Sequence, residues 1–379
     1  MLYSQQLWRT SLLASALGLM TACGSGSETT SETQQEPDPC AGTSRCPAEG
    51  PYPFENLSDY DLYVRDDPAA LVPKDGVVLF EPASPLWSDG ARKSRHIILP
   101  EGTAIGFDEG EDWVWPEGTI VAKSFAFDHD LRDPQAGYDL IETRLLIFEQ
   151  GEWQTYVYLW NDERTDATLH KIGARVDVEY TDIAGATITQ QYIVPNLDKC
   201  ASCHERDDTL RILGPFTHQL NYEVVRDGQS VNQLTWLAEQ GLFSDALPAV
   251  ASLPAFPPPT SEQPLEQRAR GYLHANCSHC HRPGGGANRS GISFLGWEED
   301  PYEYGVCKPP AAAGAGAGGN SYDITPGHPD QSIVVFRMNS TVPDIKMPEL
   351  PNLVVDDFGV ALISEWIESM PAEPCGANP

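Results

Sequence analysis

The chain has 379 residues and a formal net charge of −31, from 55 acidic against 24 basic side chains. So acidic a surface disfavours nucleic acid and anionic lipid headgroups as partners, and it suits solubility and steering toward a cationic redox protein. The length leaves room for two or three domains.

The first element in chain order is an export signal. Residues 1–9 carry one positive charge, residues 11–20 are apolar, and Leu19-Met20-Thr21-Ala22-Cys23 closes the run with small residues before a cysteine. That order predicts a cleaved signal peptide, too short to be a membrane span. The closing residues resemble a bacterial lipobox, which implies a lipoprotein signal over residues 1–23 with Cys23 as the acylated N-terminus. Plain secretory cleavage near Ala22 is the alternative. Gly24 and Ser25, with no aspartate beside the cysteine, imply outer-membrane anchoring by resemblance to lipoprotein sorting. The expectation is an exported protein, periplasmic or at the cell surface, touching the membrane only through its lipid. No other segment approaches the ~20 apolar residues of a membrane span. Residues 24–50 read as a flexible tether, because the Ser, Thr, Glu, Gln and Pro of residues 25–39 cannot bury enough surface to fold.

Residues 51–195 change character. Strand-like stretches at 75–80, 95–99, 118–127, 140–148, 153–160, 174–180 and 186–194 are separated by turns such as Glu149-Gln150-Gly151. This predicts an all-β, sandwich-like domain.

Two copies of C-x-x-C-H follow: Cys200-Ala-Ser-Cys203-His204 and Cys277-Ser-His-Cys280-His281. This is the attachment signature of c-type haem. The two thiols form thioethers to the vinyl groups of one porphyrin, and the adjoining histidine becomes the proximal iron ligand. The predicted cofactors are two covalent haem c groups. A zinc ribbon or knuckle wants its two C-x-x-C pairs ~15–20 residues apart, whereas these lie far apart, and it does not require the histidine directly after each second cysteine. Thioredoxin-like chemistry wants a βαβ pattern, which neither motif shows.

A first haem-binding segment is expected over 196–246, with helical spacing at 231–240 ended by Gly241. Residues 247–264 are a proline-loaded linker. Residues 265–276 read as a helix running into the second motif, 332–338 as a short helix, and 356–370 as a terminal helix with Val360, Ile363, Trp366 and Ile367 on one face. Helix, haem motif, loop, Met-Pro and terminal helix, in that order, resemble a class I cytochrome c over 265–379. The expected architecture is therefore multidomain, an all-β sandwich-like unit followed by mainly α cytochrome c-type haem domains.

The whole mature chain also resembles a family of exported bacterial dihaem c-type cytochromes with a β-rich N-terminal half. The matching segments are Tyr52-Pro-Phe-Glu-Asn-Leu-Ser-Asp-Tyr60, Ser84-Pro-Leu-Trp-Ser-Asp-Gly90, residues 196–204, residues 271–281, Gly305-Val-Cys-Lys-Pro-Pro310 and Lys346-Met-Pro-Glu-Leu350. The resemblance implies electron transfer outside the cytoplasm and names neither partner nor substrate.

His204 and His281 are the predicted proximal ligands. Met347, ahead of Pro348 in a loop before the terminal helix, is the expected distal ligand of the second haem, with Met338 as competitor. A Met on an apolar helical run usually packs rather than ligates. No methionine lies between Met20 and Met338, so the first haem has no local Met ligand, and its sixth position takes a histidine, another side chain or the distant Met338, or stays open. His218 is the nearest downstream histidine, and His96, His129 and His170 belong to the β-rich part; His279 sits inside the attachment loop, facing away from the iron.

With Cys23 and the haem cysteines set aside, Cys40, Cys46, Cys307 and Cys375 remain. An even remainder in an oxidising compartment points to disulfides. Three pairings are open, and Cys40–Cys46 with Cys307–Cys375 is favoured.

Electron transfer between the haems and a redox partner protein is the leading functional expectation. One alternative is a peroxidase- or oxidase-like dihaem enzyme with an open position at the first iron. Another is substrate binding by the β domain, through aromatics such as Trp87, Trp113, Trp115 and Trp160, coupled to haem oxidation. Aromatics in a β domain are core first.

Overall fold

Six strands form one antiparallel meander in sequence order: β1 (Val77–Leu79), β2 (Arg92–Ile98), β3 (Ile120–Asp128), β4 (Tyr138–Glu149), β5 (Glu152–Trp160) and β6 (Ala167–Leu169). Their β-branched and aromatic residues suit a pleated sheet buried on both faces. The β4–β5 turn is only Gln150 and Gly151, both with positive φ (54° and 79°), the backbone a tight hairpin needs. A second ribbon pairs β7 (Ala174–Thr181) with β8 (Thr187–Val194), and Thr181 at its end bridges to Asp130. In this computed structural model the described residues are 51–64, 67, 70–349, 352–372 and 374–376. The predicted signal peptide, the tether, Cys23, Cys40 and Cys46 lie outside them.

Alternation along the strands gives the sheet two faces. One face packs Ile98, Ile120, Ala122, Leu145 and Ile147 against Leu57, Tyr60 and Leu62 from the preceding segment. The other face divides. Ile97, Val121, Leu146 and Trp153 meet Trp113 and Trp115, and also Leu220, Leu234, Leu237 and Leu253 from beyond the first haem motif. Phe125, Phe127 and Val157 meet Val178, Tyr192, Val194 and Cys200.

The helices are α1 (Leu197–His204), α2 (Thr217–Leu220), α3 (Gln233–Glu239), α4 (Leu265–Cys277), α5 (Ile333–Met338) and α6 (Asp357–Ser369). Asn196 caps α1 by accepting from the Lys199 N–H at 3.0 Å, and Asp356 caps α6 by accepting from the Gly359 N–H at 3.1 Å. Leu273, Ile363, Trp366 and Ile367 pack α4 against α6, with Met338 of α5 beside them. None of the described helices is long and apolar enough to cross a membrane.

The expected architecture needs correction. The chain is mostly β structure, and a mainly α cytochrome c-type domain does not follow the β part. Among the described residues of 265–379, three α-helices of 13, 6 and 13 residues are separated by turns and loops. Proline and glycine explain this: the Gly/Ala run at 311–320 and the prolines around it support short turns, not helix. Nor is the β part a simple sandwich. One meander carries the two-stranded ribbon and the α2–α3 segment on the same face. Cys307 and Cys375, paired as favoured above, form a disulfide with Cα atoms 5.1 Å apart.

Candidate functional site

The first haem motif closes a cavity of about 270 Å³ between α1, the sheet and the turn entering the second motif. Cys200, Cys203 and His204 line it, with Trp113, Trp115 and Trp153 among its apolar wall. That volume is near the lower end of ~300–1,000 Å³ for small-molecule sites. The His204 Nδ1 lies 2.9 Å from the Arg211 carbonyl oxygen. A carbonyl only accepts, so Nδ1 carries the proton and the Nε2 lone pair is free for a metal. Burial holds the imidazole neutral, lowering its pKa to about 4. Burial also raises the pKa of the Cys200 thiol.

The sheet supplies a row of cations that sequence reasoning missed. Arg95 of β2 is directly opposite Lys123 of β3, and Lys123 is opposite Arg144 of β4. All three line the cavity. The available signal was a cation at an inward alternation position in each of three neighbouring strands, on the face that carries Ile97, Val121 and Leu146.

The second motif ends α4. The His281 Nδ1 lies 2.9 Å from Ser290 Oγ, and that hydroxyl donates to the Ala287 carbonyl at 2.7 Å. Ser290 therefore accepts from His281, and Nε2 is again the free nitrogen. Burial lowers the His281 pKa to about 4 and raises the Cys277 thiol to about 12. Cys277, Met338 and Met347 share a space of only about 20 Å³, which His281 and Cys280 do not line. Met338 is 7% exposed in the α4–α6 core, as its apolar run predicted.

The two motifs touch. Cys203 Sγ, Cys280 Sγ and a His279 ring nitrogen lie within 4.8 Å of one another. Hydrogen bonds from Cys280 and His279 pull the Cys203 pKa down, and the same contact pushes Cys280 up. The Asp207 N–H donates to the Gly284 carbonyl at 3.1 Å, and a Cβ on Gly284, at φ +76°, would strike the Asp207 carboxylate. Glu111 binds the segments after both motifs: Arg206 at 3.3 Å and Arg282 at 3.1 and 2.6 Å. Its third neighbour is His274, whose Nδ1 accepts from the Gly296 N–H at 3.1 Å and whose Nε2 lies 3.4 Å from Glu111 Oε1.

His218 is not among the residues lining the larger cavity. Its ring packs on Trp297 (4.7 Å) and Phe256 (5.0 Å), so the structure does not bring it to His204. His96 faces the other side of the sheet, with Nδ1 3.2 Å from the Tyr63 hydroxyl. His129 and His170 bond the carbonyls of Ala136 and Gly173. Trp113 and Trp115 serve as cavity wall, while Trp160 is core. Ser84-Pro-Leu-Trp-Ser-Asp-Gly90 is a clamp: Asp89 accepts from the N–H groups of Leu353 and Val354 at 2.8 Å each, and the Trp87 N–H donates to Asn276 Oδ1 at 2.7 Å.

Compared with protein-family models, with curated proteins and with solved structures, the chain matches none. The first site's residues fit a covalently held haem: two thiols, a neutral imidazole with Nε2 free, aromatic walls and a cationic floor line one cavity. The space at Met347 does not fit a porphyrin in this arrangement.

Proposed function

We propose that this is an exported c-type haem protein that transfers electrons, with haem joined to Cys200 and Cys203 and ligated by His204. The observation carrying this reading is that Cys200, Cys203 and His204 line one cavity with Trp113, Trp115 and Trp153, and that the His204 Nδ1 is engaged by the Arg211 carbonyl. A bound haem supplies one-electron chemistry at iron. The chain's own contributions are specific. Arg211 fixes the His204 tautomer through its carbonyl, the three tryptophans exclude water, and the loops of the two motifs abut. A second haem at Cys277, Cys280 and His281 rests on the motif alone. Intact mass and the alkaline pyridine spectrum of protein exported from a haem-attaching bacterium test the reading. Covalent haem on the peptide containing Cys200 and Cys203 supports it, and a haem-free chain overturns it. Carbon monoxide bound by the reduced protein would assign ligand chemistry to the first haem, and inertness would leave a relay.

A second reading follows from the trio Cys203, His279 and Cys280. With their sulfurs free, they offer an S₂N set to a thiophilic divalent ion. One equivalent of zinc in a chain without covalent haem would select this reading.

A further inference from the structure

We infer that Arg95, Lys123 and Arg144 form a carboxylate-binding row on the sheet wall of the cavity, and that it receives the two acid side chains of the tetrapyrrole held at Cys200 and Cys203. The inference rests on the haem reading above.

The register makes the row. In antiparallel strands, directly opposed side chains on one face lie about 5 Å apart, and like charges there repel. Here three cations stand side by side across β2, β3 and β4. The neighbouring row on the same face is Ile97, Val121 and Leu146, so water does not screen the charges from that side.

The compensation is incomplete. Glu142 is fully buried and binds Arg144 at 2.9 and 2.5 Å, with the Tyr192 hydroxyl donating to it at 2.7 Å. Arg95 is 8% exposed, and among the described residues neither it nor Lys123 makes a side-chain hydrogen bond or ion pair. Lys123 has only the Phe125 ring, 4.8 Å from its amine. Glu81, the acid felt by Arg95, is half exposed and bound to Arg226 at 2.8 Å. Lys93, further along β2, does not line the cavity, and burial beside Arg95 and Arg144 lowers its pKa to about 7 despite Asp356 and Asp89. Glu111 and Asp112 on the opposite wall are taken by Arg206 and Arg282.

One carboxylate faces three basic side chains, and burial together with the neighbouring Arg95 and Arg144 pushes the Lys123 pKa well below its ordinary 10.5. A buried cation without a partner tends to lose its charge, so an anion in the cavity is what would hold Arg95 and Lys123 in their charged forms. A dianion with both charges at one end and an apolar body matches this wall and its tryptophan neighbours. The haem propionates have that form, and arginine or lysine pairs with such groups through charge-assisted hydrogen bonds.

The test uses the haem-loaded protein and four variants: Lys123→Met, Arg95→Met, Lys123→Arg and, as an exposed control, Lys171→Met. A cation beside the haem favours the added electron, so its loss lowers the reduction potential. Lys123→Met and Arg95→Met should each shift the reduction equilibrium on the order of tenfold, ~59 mV for one electron. Both should also move the propionate-bending bands in the resonance Raman spectrum. Lys123→Arg should keep the bands and most of the potential, and Lys171→Met should change neither. Potentials and bands of both Met variants equal to those of Lys171→Met, with covalent haem still on Cys200 and Cys203, would overturn the inference and leave the haem reading standing. A chain with no covalent haem there fails the earlier reading instead, by mass, before any variant is made.

Discussion

Glu111 and Arg282 form a two-pronged ion pair, Nη1 to Oε1 at 3.1 Å and Nη2 to Oε2 at 2.6 Å, that ties the loop between β2 and β3 to the residue directly after the second haem motif. The same carboxylate holds Arg206, two residues past the first motif. One acid from the β part thus keeps the two motifs in register.

This pair has a pH signature. Burial alone would raise the Glu111 pKa, but hydrogen bonds from His274 and Arg282 outweigh it and hold the value at about 2, below the ordinary 4.5. The folded pKa is depressed, so the stabilisation is complete above about pH 4.5 and is lost as pH falls toward about 2. Glu111→Gln should lower stability at neutral pH by roughly 2–3 kcal/mol, since Arg282 is left buried without its charge partner. Urea unfolding at pH 7 and pH 3 checks this: the gap between wild type and variant should narrow at the lower pH.

Gly359 sits where α6 meets Tyr272 of α4. A Cβ there would overlap the Tyr272 hydroxyl, which donates to Asp356 at 2.8 Å. Gly359→Ala should cost about 1–3 kcal/mol by overpacking. Adding Tyr272→Phe should recover part of that loss, because the clashing oxygen is gone. Thermal unfolding of the two single variants and the double variant measures the coupling.

Asp89 is 1% exposed and accepts backbone N–H groups from Leu353 and Val354. Asp89→Ala leaves those donors unpaired, at a cost of about 2–4 kcal/mol across the set. The loop beside Met347 should then be cut faster by protease than in wild type, while cleavage of the β7–β8 ribbon stays unchanged.

Much of the framework was legible from pattern. The stretches expected at 118–127, 140–148 and 153–160 are β3, β4 and β5 within two residues, and the helices expected at 265–276 and 356–370 are α4 and α6 within one. Strand β2 was expected to start at 95 and starts at Arg92, because Lys93 and Arg95 occupy positions where alternation calls for apolar residues. Arg95 lines the cavity, so the disturbed pattern was itself a sign of the site. The packing of α2 and α3 on the sheet left no such trace. Leu234 and Leu237 show a helix, and only tertiary structure shows that Trp113 and Val121 cover them. His218 shows the same limit: proximity in sequence says nothing about Trp297 and Phe256 packing on its ring.

The two methionines near Cys277 separate by burial. Met338→Ala should cost about 2–4 kcal/mol as a core truncation, whereas Met347→Ala, half-buried in its loop, should cost under ~1 kcal/mol. Denaturant unfolding of both variants decides the order.

The proposed function places a covalent haem on Cys200, Cys203 and His204. Peptide mass spectrometry of the exported chain measures it most directly. The Cys200–Cys203 peptide should carry the added mass of one haem, and the same peptide with both thiols free would rule the attachment out.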